Sequence, residues 1–328
     1  MHKNGKYAEK SNILLIGPTG SGKTYLVRML SGILGLPVAM ADATGITEAG
    51  YVGDDVEVVL RRLYESAGKN KELAENGIVY IDEIDKIAGT EMGRCRTGNG
   101  RDVGGLGVQR ALLKMMEGTV ADVPIGGNKW FSHNSIPIDT NRILFIMGGA
   151  FTGLDEIINA RTKNHQIGFN PGAEPRDKDV QSNLHEVAVD DLIEYGFIPE
   201  FIGRLPVIAV LDELTDKELK TILLDSEHAL IKEYKAHFAI DGIDLEFSEE
   251  AVNAIIKATR ERNTGARVLR SIIEKVLTPV VFENGKPISQ DKTRITLDAK
   301  DTLRYSFSLD FSCILNREPI LVLAVKSH

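Results

Sequence analysis

The chain has 328 residues, 43% hydrophobic and 26% charged, which is long enough for two domains with their own apolar cores and too apolar for a disordered polymer. Its formal net charge of -8 sets up an overall field that repels phosphate backbones and argues against a nucleic-acid partner. No run approaches the roughly 18 consecutive apolar residues of a membrane span, and the opening MHKNGKYAEK lacks the apolar stretch of a signal peptide, so a cytoplasmic chain with no membrane contact is expected. Cys95 and Cys313 are the only cysteines; they make neither a disulfide framework nor a four-cysteine site, and no zinc is expected.

In chain order, residues 12–16 (NILLI) form a short apolar strand, followed by a glycine-rich loop and a helical stretch over 24–34. Residues 78–81 (IVYI) and 143–147 (ILFIM) are further apolar runs of buried-strand length. Between them Val108, Ala111, Leu112, Met115 and Met116 recur at helical spacing. Residues 161–183 are polar, contain Pro171 and Pro175 and show no sustained period, so they predict a long loop of the kind that carries function. Beyond Pro206 the pattern turns helical: 216–234 sets Leu219, Ile222, Leu223, Leu230 and Ile231 on one face, and Ser248 ahead of Glu249 and Glu250 is a helix N-cap. From 293 onward a few short strands are expected. The predicted organisation is a large α/β domain with a parallel sheet over 1–210 and a smaller, mainly helical domain over 211–328.

Gly17, Pro18, Thr19, Gly20, Ser21, Gly22, Lys23 and Thr24 fit the pattern GxxxxGK[ST] between a strand and a helix. Phosphates need many donors at short range. Glycines let main-chain N–H groups approach without a Cβ in the way, and the helix N-terminus adds favourable potential. Lys23 then reaches the outer phosphates of ATP, the Thr24 hydroxyl is a Mg²⁺ ligand, and Tyr25 completes the nucleotide-binding stretch.

The strand over 78–81 runs into Asp82 and Glu83. Ligands of open parallel sheets bind at the carboxyl ends of the strands, so this pair is expected to face the phosphate loop. Asp82 holds Mg²⁺ through water, and Glu83 orients and polarises the attacking water, because phosphoryl transfer is mostly positioning and charge stabilisation.

The stretches SNILLIGPTGSGKT, ADATGITEAGYVGDDVE, GIVYIDEIDKI, GVQRALLKMMEGT, RILFIMGGAF, GFIPEFIGRLPV and TGARVLRSIIE, in this order and spacing, resemble the ClpX family of AAA+ P-loop ATPases over roughly residues 11–280. The resemblance implies an ATP-dependent protein unfoldase, working as a homohexameric ring that threads unfolded or tagged proteins through its pore into the ClpP peptidase. It implies that Arg204 is an arginine finger reaching a neighbour's nucleotide. Taken alone, the residue reads as a surface arginine in an ion pair. The resemblance further implies that Arg267 reaches the nucleotide from the small domain; spacing by itself leaves Arg262, Arg267 and Arg270 equivalent. Tyr51 and Val52, between glycines, resemble the pore loop that grips substrate, and Arg101 resembles part of a second pore loop. Ile167, Gly168 and Phe169 resemble the tripeptide that docks on ClpP, and two apolar side chains in a polar loop suit a partner pocket.

Nothing here resembles the family's amino-terminal zinc domain or the segment that walls the adenine base, so a chain lacking the zinc domain is expected. Asn128, Lys129 and Trp130 stand where the family has Arg-Lys-His at the pore entrance. The alternative is a truncated or degenerate ring subunit, or scaffold, with weak or no ATP hydrolysis.

Overall fold

A computed structural model describes residues 10–46, 56–89, 103–124, 135–164, 183–225, 229–262, 265–283, 286–287 and 294–297. By packing, the chain divides into two units: Met1–Pro18 with Gly22–Asp212, and Glu213–His328 with the loop residues Thr19–Ser21.

The first unit runs β1 (Ile13–Ile16), α1 (Lys23–Leu34), β2 (Val38–Asp42), α2 (Val56–Ser66), α3 (Lys71–Ala74), β3 (Ile78–Asp82), α4 (Val103–Met116), β4 (Val120–Pro124), β5 (Ser135–Asp139), β6 (Leu144–Gly149), α5 (Leu154–Asn164), α6 (Val189–Tyr195), α7 (Pro199–Gly203) and β7 (Val207–Val210). Five strands form one sheet in the order β2-β3-β6-β1-β7, every pair parallel. Central strands of such a sheet are covered on both faces, which is why β1, β3 and β6 read as unbroken apolar runs. Leu14, Ile16, Val79, Ile81, Phe145 and Met147 bury on one face. Leu15, Ile78, Tyr80 and Ile146 bury on the other, against Val27 of α1. β4 and β5 form a separate antiparallel pair.

Helix ends follow local chemistry. α1 stops at Gly35, whose φ of 64° lets its N–H return to the Gly32 and Ser31 carbonyls. α7 opens on Pro199, where a missing N–H costs nothing.

The second unit contains α8 (Asp216–Leu224), α9 (Leu230–Ile240), β8 (Asp244–Phe247), α10 (Glu249–Arg260), α11 (Arg267–Val281), β9 (Phe282–Glu283), β10 (Lys286–Pro287) and β11 (Arg294–Leu297). β8 pairs with β11 in parallel, and β9 with β10 antiparallel. Leu219, Leu223, Leu245, Ile255, Ile272 and Ile273 sit in its core. Thr215 and Glu218 form a reciprocal capping box ahead of α8, and the Ser248 side chain accepts the Ala251 N–H at 3.1 Å ahead of α10. The apolar face expected over 216–234 is split between α8 and α9. The backbone at Ala229 leaves the helical region (ψ 127°), and helix resumes at Leu230.

Candidate active site

β1 delivers the chain to the loop at the carboxyl edge of the sheet, where the Gly17 N–H donates to the Gly149 carbonyl at 3.2 Å. Gly20 and Gly22 have φ of 84° and 93°. Gly22 caps α1 in the left-handed region with open space where a Cβ would sit, so it is glycine for its backbone angles rather than for room. The loop thereby hands over to the α1 N-terminus, a geometry that suits an anion. The Lys23 ammonium folds back on the loop, donating to the Gly17 carbonyl at 2.6 Å and the Pro18 carbonyl at 3.0 Å. Ser21 Oγ is buried without a hydrogen-bond partner. A buried hydroxyl without a partner is the kind of orphan that a phosphate oxygen satisfies, and the residues fit a nucleoside triphosphate.

Thr24, in the first turn of α1, donates from Oγ1 to Asp82 Oδ2 at 3.0 Å. The Glu83 N–H donates to Asp82 Oδ1, also at 3.0 Å. A threonine hydroxyl against a half-exposed carboxylate at a phosphate loop is an all-oxygen set of the type that holds Mg²⁺. Glu83 is exposed, beside Asp82, with φ 56° and ψ 33°, and leads into the 3₁₀ turn Ile84–Ile87. A left-handed conformation is costly for a residue with a Cβ and is typical of functional positions. Phe151, two residues beyond β6, shares this region at φ 54°.

Several residues around the site have no signal in the sequence. Asp85, 6% exposed, accepts the Ala150 N–H at 3.2 Å and lies 3.6 Å from Lys86 Nζ, linking the β3 turn to the end of β6. Gln109 of α4 is fully buried and donates to the Ile87 carbonyl at 2.8 Å. Tyr80 lies under Asp82. Burial first, then the Asp82 carboxylate, pushes its phenol further above the ordinary tyrosine range, so it stays protonated.

Of the other expected residues, Tyr25 is exposed on α1. Arg204 follows α7, half exposed, with its guanidinium 2.9 Å from Glu117 Oε1. In this single chain it therefore makes the surface ion pair that its sequence alone suggests. Arg267 is exposed at the first position of α11, while Arg270 pairs with Glu233 at 2.7 Å. Tyr51, Val52, Arg101, Ile167, Gly168 and Phe169 lie outside the described residues, as do Asn128, Lys129 and Trp130. Among the described residues no helix is long and apolar enough to cross a membrane.

The AAA domain family (Cdc48 subfamily) matches residues 8–208, and the C-terminal, D2-small domain of ClpB protein matches 214–285. The ATP-dependent Clp protease ATP-binding subunit ClpX of Treponema denticola is 48% identical over 285 residues, covering 86% of this chain and 68% of that protein. The proteins of the same name from Borrelia duttonii and Borrelia recurrentis are each 46% identical over 298 residues, covering 90% of this chain and 68% of theirs.

Proposed function

The chain belongs to the ClpX family of AAA ATPases, and from that premise we propose that it is an ATP-driven protein unfoldase that works as a homohexameric ring and delivers substrates to a ClpP-type peptidase. The observation that carries this reading is the Thr24–Asp82 hydrogen bond. It joins the phosphate loop to the acid-bearing strand across 58 residues of sequence, and a motor needs both at one point.

The residues divide the work of hydrolysis. The main-chain amides of 17–24 and the Lys23 ammonium take up the phosphates, with Lys23 trading two loop carbonyls for charged oxygens. Thr24 and Asp82 hold magnesium, which when bound neutralises charge on the phosphates. Glu83, exposed beside Asp82, orients the attacking water and takes its proton. Arg204 on a neighbouring subunit supplies positive charge to the transition state, which makes turnover depend on assembly; Arg267 contributes from the small domain. Tyr51 and Val52, with Arg101, grip the translocating chain, and Ile167, Gly168 and Phe169 engage the peptidase. A cytoplasmic setting suits this activity.

The test is steady-state ATP hydrolysis by the purified chain, with and without a ClpP-type peptidase, alongside its size in the presence of nucleotide. Expected are a nucleotide-dependent ring and loss of hydrolysis on dilution below assembly. Phe169→Ala is expected to spare hydrolysis and abolish degradation of a tagged substrate. A monomer that hydrolyses ATP at full rate removes the ring; normal degradation by Phe169→Ala removes the docking role.

A further inference from the structure

Tyr80 carries a polar atom that its surroundings do not use. It lies in the middle of β3, two residues before Asp82, so both side chains leave the same face of the sheet, the face covered by α1. The ring is 1% exposed among Leu15, Val27, Ile78 and Ile146. Phenylalanine satisfies that apolar cluster equally well. The hydroxyl is enclosed and makes no hydrogen bond of ordinary geometry, a state that is costly when nothing offsets it.

Three features surround the oxygen. Asp82 stands two residues on along the same face of β3, and the Thr24 hydroxyl is bound to it at 3.0 Å. On the neighbouring strand, the chain has Gly148, where a Cβ would overlap the Tyr80 hydroxyl and come within 2.9 Å of Cε2 and Cζ. The phenol therefore occupies space left open by a missing side chain on β6.

We propose that Tyr80 is a positioning residue for the metal end of the site, its hydroxyl donating to the Asp82 carboxylate in the loaded state. The proposal rests on the reading of Thr24 and Asp82 as the magnesium side of the site. Asp82 is half-exposed at a strand end, and its two oxygens already take the Thr24 hydroxyl and the Glu83 N–H. A carboxylate accepts about four hydrogen bonds, so there is room for a further donor. A phenol locked in the core fixes the carboxylate orientation more rigidly than an exposed group, and such partners of metal ligands are commonly worth about 10–100-fold in metal affinity.

Tyr80→Phe keeps the ring and deletes the oxygen. Binding of a fluorescent ADP analogue to the full chain is measured in EDTA and through a magnesium chloride titration. The expected result is a magnesium midpoint raised about tenfold, an unchanged affinity in EDTA, and a melting temperature that is not lowered. An unchanged midpoint overturns the proposal, as does an equal loss of affinity with and without metal, which marks a packing role. Asp82→Asn is measured in parallel. If it raises the midpoint while Tyr80→Phe does not, only the Tyr80 role falls; if it too keeps the parent midpoint, the magnesium assignment itself fails.

Discussion

Asn12 Nδ2 donates to the main-chain carbonyl of Arg204 at 2.9 Å, tying the foot of β1 to a residue 192 positions further on. Its Oδ1 accepts the Phe145 N–H of β6 at 3.3 Å, and the side chain is 4% exposed. One amide thus fixes the backbone of Arg204 against two central strands while the guanidinium rests on Glu117. Asn12→Ala leaves a buried N–H without its acceptor and should cost the first unit about 1–3 kcal/mol. Asn12→Asp should cost more, because it sets a carboxylate against the Arg204 carbonyl. Urea denaturation of the two variants checks this; indistinguishable midpoints for parent and Asn12→Ala would remove Asn12 from the account.

Glu83 is separated from Asp82 by role as well as by position. Asp82 is tied down by Thr24, whereas Glu83 is exposed in a left-handed conformation that turns it away from the strand. Glu83→Gln keeps the backbone demand and the shape while removing the base. Hydrolysis should fall by about 10²–10⁴-fold, with nucleotide affinity retained. Single-turnover hydrolysis and equilibrium binding measured on the same preparation separate the two effects. A normal rate in the variant assigns the base elsewhere.

Much of this was legible in the sequence, and the reason is locality. β1, β3 and β6 announce themselves because they are covered on both faces, and the phosphate loop and acid pair because their residues are contiguous. β2 and β7 are edge strands with few buried residues, so they carry a weak apolar signal. Asn12 reads as the start of a strand and Tyr80 as strand filling. The contacts of Asn12 are with Phe145 and Arg204, in other elements that no window along the chain contains, and Tyr80 stands out only once Gly148 of β6 is seen to leave room for its hydroxyl. The split of 216–234 into α8 and α9 is likewise invisible to periodicity, since neither glycine nor proline marks Ala229.

Gln109 joins two segments from inside α4, the turn at Ile87 and the connection Gly196–Ile198. Its Nε2 donates to the Ile87 carbonyl at 2.8 Å and lies 3.4 Å from the Gly196 carbonyl, and its Oε1 accepts the Ile198 N–H at 2.9 Å. Ile87 closes the turn that begins at Glu83, so Gln109 steadies the acid-bearing end of β3 from behind. Gln109→Leu fills the same space and orphans the Ile198 N–H, for an expected loss of about 1–3 kcal/mol and a lower hydrolysis rate. Gln109→Glu should be worse, since it presents an acceptor to two carbonyls. Chemical denaturation with both variants is the check, and equal stability of Gln109→Leu and the parent contradicts it.

Arg161 and Asp191 supply a pH dependence with a definite sign. Arg161 donates from Nε to Asp191 Oδ1 at 2.7 Å and from Nη2 to Oδ2 at 2.9 Å, and the Ala188 N–H donates to the same carboxylate at 2.8 Å. Burial opposes the Asp191 charge, but the Arg161 hydrogen bonds, the Ala188 N–H and the guanidinium charge outweigh it and hold the carboxyl below its ordinary value. A carboxyl depressed in the folded state binds its proton more readily when unfolded. Its contribution is therefore complete above the unfolded value, about pH 4, and is lost as pH falls through the lower folded value. Asp191→Asn should flatten that part of the acid denaturation curve. At neutral pH it should lower stability, by less than for a fully buried pair because Arg161 keeps contact with water. Urea midpoints for parent and variant between about pH 6 and pH 3 decide the matter. Curves that stay parallel through that range mean that Asp191 is not held as its contacts require.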